Sequence, residues 1–128
     1  MQTMRSGITK FVIASLLAVP GLSLAQSKGS HGAFATAAKK KLIRDFKDPS
    51  TAQFRDVFVA TMGKDHIALC GEVNAKNSYG AYIGFKPFYV IQEKGQPIGT
   101  PTIAPEVGDL VFQTIFGAYC SDKVQDIP

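Results

Sequence analysis

Two cysteines, Cys70 and Cys120, constrain the fold of this 128-residue chain more than any other sequence feature. An even number of cysteines in an exported protein favours a disulfide, and two cysteines allow a single pairing. The alternative is a pair of buried free thiols. The bond would close a loop of about fifty residues and stabilise the fold by roughly 4 kcal/mol in the chain-entropy model.

The first 25 residues have the pattern of a secretory signal peptide. Arg5 and Lys10 supply a positive start, an apolar run follows, and small residues lead up to Ala25. The alternative, a membrane anchor, would need about 20 apolar residues, and this run is shorter and is interrupted by Pro20-Gly21. We expect cleavage before Gln26, and because that residue is not cysteine we expect no lipid anchor and no membrane span after cleavage.

Removal of residues 1–25 would leave a mature chain of 103 residues, enough for one domain with a single core. Because Arg5 and Lys10 leave with the signal, the formal charge falls from +4 to +2. The remaining charge gives little support for nucleic-acid binding. We expect a periplasmic or secreted protein.

The mature chain is predicted to start with a flexible lead-in, residues 26–32, followed by one domain over residues 33–121 and a polar tail, residues 122–128, that frays. A helix is predicted from Ala33 to Lys47, ended by Asp48-Pro49. Its basic residues are Lys39, Lys40, Lys41, Arg44 and Lys47. They indicate either a solvated face or contact with an anionic membrane surface or an acidic partner.

The middle of the chain has the pattern of strands. Phe54 to Thr61 and His66 to Asn74 are predicted to form an antiparallel hairpin around a short turn. Tyr82 to Gln92 is predicted to be a third strand, and Pro87 makes it an edge strand or a bulged one. Ile98 to Ala104 is expected to be irregular or a short edge strand.

A second helix is predicted from Pro105 to Tyr119, leading to Cys120. Its predicted apolar stripe is Val107, Leu110, Val111, Thr114, Ile115 and Ala118, and Phe112 and Phe116 widen it toward Cys120. The expected fold is α+β, with an N-terminal helix, a small antiparallel sheet of three to four strands and a C-terminal helix packed on the sheet.

The loop after the second strand is the candidate binding site. It is longer than a hairpin turn requires, and it combines polar residues with tyrosines, which are frequent in interface hot spots. The candidate residues are Glu72, Asn74, Lys76, Asn77, Ser78, Tyr79 and Tyr82. The alternative is that Tyr82 and Phe85 fill the core while Gly80 and Gly84 permit a bulge.

Catalytic and metal-binding patterns are weak. The two cysteines and two histidines match no zinc spacing, and neither a nucleophile elbow nor a phosphate-binding glycine loop occurs in the sequence. Cys70 and His66 would lie on one face of a strand but about 13 Å apart, too far to share a proton. We therefore expect no cofactor, no metal and no enzymatic activity.

Three segments carry a resemblance to a known group of proteins: the residues from Asp48 to Arg55, those from Cys70 to Phe85, and the aromatic C-terminal helix ending in Cys120. They resemble a family of small exported or lipid-anchored proteins of Gram-negative bacteria and their mobile elements, which shares the pattern CGEVNxKNSxGxYxGF. The resemblance covers most of the mature chain. It implies export and the same domain outline, and it assigns no catalytic residue.

The leading hypothesis is a non-catalytic binding module whose partner is a protein or another envelope component. An immunity or inhibitor protein is one concrete form of it. The alternatives are an enzyme acting on peptidoglycan or another wall polymer, and a structural accessory of an envelope complex. A concave pocket with converging ionisable groups near Glu72 and Lys76 would favour an enzyme.

Overall fold

The protein is α+β: two helices pack on a single five-stranded antiparallel sheet. The computed structural model describes residues 23–106 and 108–128. The elements are α1 (Ser23–Ile43), a 3₁₀ turn (Pro49–Thr51), β1 (Gln53–Met62), β2 (His66–Asn74), β3 (Lys86–Glu93), β4 (Thr102–Ile103), α2 (Leu110–Cys120) and β5 (Lys123–Asp126). The strand order is β4-β3-β2-β1-β5, so β2 is central.

The first helix is longer at its start than the sequence predicts and shorter at its end. It begins at Ser23 rather than Ala33, includes the lead-in of residues 26–32, and ends at Ile43. A turn in which the Phe46 amide donates to the Ile43 carbonyl (3.0 Å) follows it. Most of the predicted signal peptide lies outside the described residues. Within the described part of the chain, no helix is both long and apolar enough to cross a membrane.

The sheet separates two hydrophobic clusters, one under each helix. On the α1 face, Phe34, Ala35, Ala38 and Leu42 of the helix pack against Val57, Val59, Leu69, Val73, Phe88 and Val90 of the strands. On the α2 face, Phe112 and Cys120 pack against Ala60, Ala68, Cys70, Tyr89 and Ala104. Because β2 is covered on both faces, it is buried along most of its length, as expected for a central strand.

A β-bulge in β1 places Phe54 and Val57 on the same face of the sheet. The pairing of β1 with β2 shifts between Arg55 and Phe58, so Asp56 and Val57 together face Gly71. Asp56 has a positive φ of 50°, which is uncommon for a residue with a side chain. The extra residue brings Phe54 onto the same face as Val57, where its ring meets Phe88 edge-on at 5.9 Å.

The predicted disulfide is present. Cys70 of β2 is bonded to Cys120 at the end of α2, with 6.1 Å between their Cα atoms. The bond anchors α2 on the central strand, and Asp109 caps the other end of the helix by accepting from the Phe112 amide (2.7 Å).

The predicted apolar face of α2 is only partly right. Leu110 and Val111 are 79% and 71% exposed, and Thr114 and Ala118 also face solvent; Val107 lies outside the described residues. The predicted residues Phe112, Ile115 and Phe116 pack inward, together with Tyr119. The cause is the disulfide, because residues four and eight positions before Cys120 must share its face.

The predicted fraying of residues 122–128 is also wrong. Lys123–Asp126 form β5, which pairs antiparallel with β1 and extends the sheet beyond the three to four strands predicted. The amide of Ile127 donates to the Val57 carbonyl (2.8 Å), and its side chain packs against the α1 cluster. The polar composition of this tail is that of an edge strand with few buried side chains.

The basic residues of the first helix fall into two groups. The Lys39 ammonium lies 5.1 Å from the Phe54 ring centre and donates to the Pro128 carbonyl (3.2 Å), and partial burial lowers its pKa. Lys41 donates to the Ile98 carbonyl. Lys40, Arg44 and Lys47 are exposed, so part of this basic set tethers the helix and part faces solvent.

We predict that Gly71→Ala destabilises the protein. A Cβ at this position would lie 2.9 Å from the Val57 Cα, so the bulged backbone would have to move. The expected cost is about 1–3 kcal/mol, measured by urea unfolding. Gly117→Ala is the control, because a Cβ there meets nothing within 4 Å. It should stabilise α2 by up to about 1 kcal/mol. Equal midpoints for Gly71→Ala and wild type would contradict the packing argument.

Candidate functional site

The loop between β2 and β3, residues 75–85, is held in shape by Asn77. Its side-chain oxygen accepts from the amides of Tyr79 (3.0 Å) and Ala81 (3.1 Å). The backbone amide of Asn77 donates to the Ala81 carbonyl (2.8 Å), and the backbone carbonyl of Asn77 accepts from the Gly80 amide (3.0 Å). Gly80 has a positive φ of 79°, which glycine adopts without strain. The Asn77 side chain therefore builds the tip of the loop.

The base of the loop is fixed by Asn74 and Tyr82. Asn74 is 7% exposed, and its side-chain oxygen accepts from the Gly84 amide (3.0 Å). Lys76 and Tyr82 face each other across an isolated β-bridge, with the Lys76 ammonium 5.3 Å from the ring centre. The Tyr82 hydroxyl donates to the Thr51 carbonyl (3.1 Å) and joins the loop to the turn before β1.

Glu72 is engaged in an ion pair across the sheet. It lies opposite Arg55, whose Nη2 is 2.6 Å from the Glu72 carboxylate oxygen. The Arg55 guanidinium also lies 4.2 Å from the ring centre of Phe85. Because both charges are partly exposed, the pair contributes little to stability, but it orients the two side chains.

Tyr79 stands apart from the other candidate residues because nothing packs on it. Its side chain is 95% exposed, and Ser78 beside it is exposed as well. The ring sits at the end of a loop whose other side chains hold the backbone in place. Of the seven predicted residues, Tyr79 is therefore the one whose side chain is best placed to contact a partner.

The structure also shows a pocket that the sequence does not reveal. It has a volume of about 230 Å³ and lies between the turn after α1, the end of β2, the loop and β4. Its apolar side chains come from Phe46, Val73, Ile83 and Ile103, and Val73 is buried. These four residues are far apart in sequence, which is why no local pattern indicates them.

Three lysines line the same pocket. They are Lys47 after α1, Lys76 in the loop and Lys86 at the start of β3. The Lys86 ammonium donates to the Pro105 carbonyl (3.2 Å). None of the nine lining residues is acidic, and among the described residues no carboxylate forms an ion pair with these lysines. The pocket is therefore mainly apolar, with three lysines and no acidic residue among those that line it.

The two histidines lie elsewhere. His31 and His66 line one hollow together with Asp65 and Glu93, at the opposite end of β2 from the loop. The His66 ring meets Tyr119 edge-on at 5.8 Å. In residues 23–106 and 108–128, no group of three or more His, Cys, Asp or Glu side chains is arranged to hold a metal ion.

Comparisons with protein-family models, with curated proteins and with solved structures gave no match to this chain.

We predict that Asn77→Ala lowers the free energy of unfolding, while Tyr79→Ala does not. The first change removes the acceptor of two backbone hydrogen bonds and should cost about 1 kcal/mol. The second removes an exposed ring and should stay within about 0.5 kcal/mol. Asn77→Asp is the control, because it keeps the acceptor oxygens and should retain most of the stability. Thermal and urea unfolding measure all three, and equal losses for Asn77→Ala and Tyr79→Ala would refute this division of roles.

Proposed function

We propose that the chain is a small, non-catalytic binding module of the bacterial envelope, and that it contacts a protein partner through the tip of the 75–85 loop. The observation that carries the proposal is the 95% exposure of Tyr79 at the end of a loop fixed by Asn74, Asn77 and Tyr82. A large aromatic side chain on a loop backbone that is fixed before binding costs little backbone entropy on contact, and such side chains are frequent among hot-spot residues.

An inhibitor or immunity protein is the concrete form that we favour. A projecting loop with a single aromatic tip fits a cleft in a target better than it fits a flat surface. An enzyme acting on wall polymer would need an acid and a base placed around a substrate. Near the loop, the Glu72 carboxylate is paired with Arg55, and the ionisable groups of the pocket are lysines.

Export of the chain rests on the pattern of residues 1–25, and a bonded cysteine pair is compatible with it. Cleavage before Gln26 would remove the first three residues of α1. Among the α1 residues whose side chains the structure describes, those that pack in the core run from Phe34 to Leu42, and cleavage would leave them in place. The mature chain would keep the whole sheet and both clusters.

We predict that the chain expressed from its own start in a Gram-negative host accumulates in the periplasm or medium. Intact mass should correspond to residues 26–128 less two hydrogens, the mark of the Cys70–Cys120 bond. Ala25→Arg is the matched variant, because a large charged residue at position −1 should block processing. A full-length cytoplasmic protein with two free thiols would contradict the proposed export.

We predict that Tyr79→Ala weakens partner binding at least tenfold, about 1.4 kcal/mol, without lowering the melting temperature. The mature protein, immobilised at Lys64 on the opposite end of the sheet, would capture partners from envelope extract for identification and then titration. Leu110→Ala is the control, because it also removes a large exposed apolar side chain, but from α2. Loss of binding with Leu110→Ala alone would move the contact surface to α2 and overturn the role of the loop.

A further inference from the structure

The pocket beneath the 75–85 loop has two kinds of lining residue. Phe46, Ile83 and Ile103 present hydrocarbon around a floor formed by Val73. Lys47, Lys76 and Lys86 are also among its lining residues. The apolar side chains interact poorly with water, and the lysines repel cations. The pocket is therefore complementary to a molecule with an apolar chain and an anionic head.

Each lysine reaches the pocket from a different element, which restricts where the charge is placed. Lys86 is held by its bond to the Pro105 carbonyl, and Lys76 lies over the Tyr82 ring. Lys47 is exposed on the turn after α1. Two of the three lysines therefore have their ammonium groups in contacts at the edge of the pocket, and the exposed Lys47 is able to move toward an anion.

We propose that this pocket binds a single-chain anionic amphiphile, a medium-length acyl carboxylate, with the chain against Val73 and the carboxylate among the three lysines. The lysines neutralise the head, and the apolar lining removes the chain from water. The site is separate from the exposed Tyr79 ring. The inference therefore does not depend on the proposed protein partner, and either can fail without the other.

The volume of the pocket limits the length of the chain. A pocket of about 230 Å³ that is open to solvent encloses a medium-length acyl chain but only part of a long one. Affinity should rise from butanoate to octanoate and gain little from longer chains, whose ends would extend into solvent.

The test uses the purified mature protein and four probes: octanoate, 1-octanol, acetate, and vesicles of phosphatidylglycerol. Chemical shifts of the Val73, Ile83 and Ile103 methyl groups report on the pocket directly. We expect saturable shifts with octanoate, at least fivefold weaker binding of 1-octanol, and no saturation with acetate. The octanoate affinity should fall as salt is raised, because the head is recognised by charge.

Two comparisons, one between double lysine variants and one between alanine variants, separate the role of charge from the role of space. Lys47→Gln with Lys76→Gln should weaken octanoate at least fivefold and leave 1-octanol unchanged. Lys64→Gln with Lys94→Gln makes the same charge change at the other end of the sheet and should have no effect on either. Ala75→Leu should fill the pocket and abolish binding, whereas Ala81→Leu, in the same loop but outside the pocket, should bind normally.

Several results would overturn the proposal. Equal binding of octanoate and 1-octanol would show that the lysines do not recognise a head group. Binding to vesicles without saturable octanoate binding would assign the lysines to a membrane surface instead. If Ala75→Leu fails to fold, the two lysine pairs still decide the matter, because equal losses in both pairs would show that general positive charge and not this pocket attracts the anion.

Discussion

The structure depends on the bond between Cys70 and Cys120. Cys70 is fully buried in the central strand, and Cys120 ends the last helix, so the bond sets which face of α2 meets the sheet. Phe116 and Phe112 then face the sheet as well, because they lie about one and two helical turns before Cys120. The chain then leaves Cys120 beside β1, close enough to add β5 within three residues. One covalent contact therefore determines the α2 cluster and the edge of the sheet.

The bulge opposite Gly71 determines the other face. Because two residues of β1 face one of β2, both Phe54 and Val57 turn toward α1, and the α1 cluster extends toward the end of β2. The helix ends at Ile43, before this end of the sheet is covered. Val73 is left as the floor of a pocket closed by Phe46 and the loop. The pocket is thus a consequence of where α1 ends relative to the bulge in β1.

The elements with strong local patterns could be predicted, and those fixed by distant contacts could not. The bounds of β2, His66–Asn74, and the cysteine pair follow from the sequence. The strand β5 was missed, because an exposed edge strand needs few apolar residues. The apolar face predicted for α2 was too broad, because it joined Phe112 and Phe116, which face the sheet, with Leu110 and Val111, which are exposed. Counting back in helical steps from Cys120 would have separated the two groups.

The loop shows why composition alone overestimates a binding surface. A long connection between two strands must satisfy its own backbone polar groups, and asparagine and glycine do this best. Asn74 and Asn77 are used in this way, so their presence indicates how the loop is built and says little about what it contacts. Once these internal roles are assigned, Tyr79 is the large side chain of the loop that remains exposed at its tip, and Lys76 and Ile83 line the pocket on the other side. The two surfaces of the loop differ in chemistry, and this difference is the reason to treat them as two candidate sites.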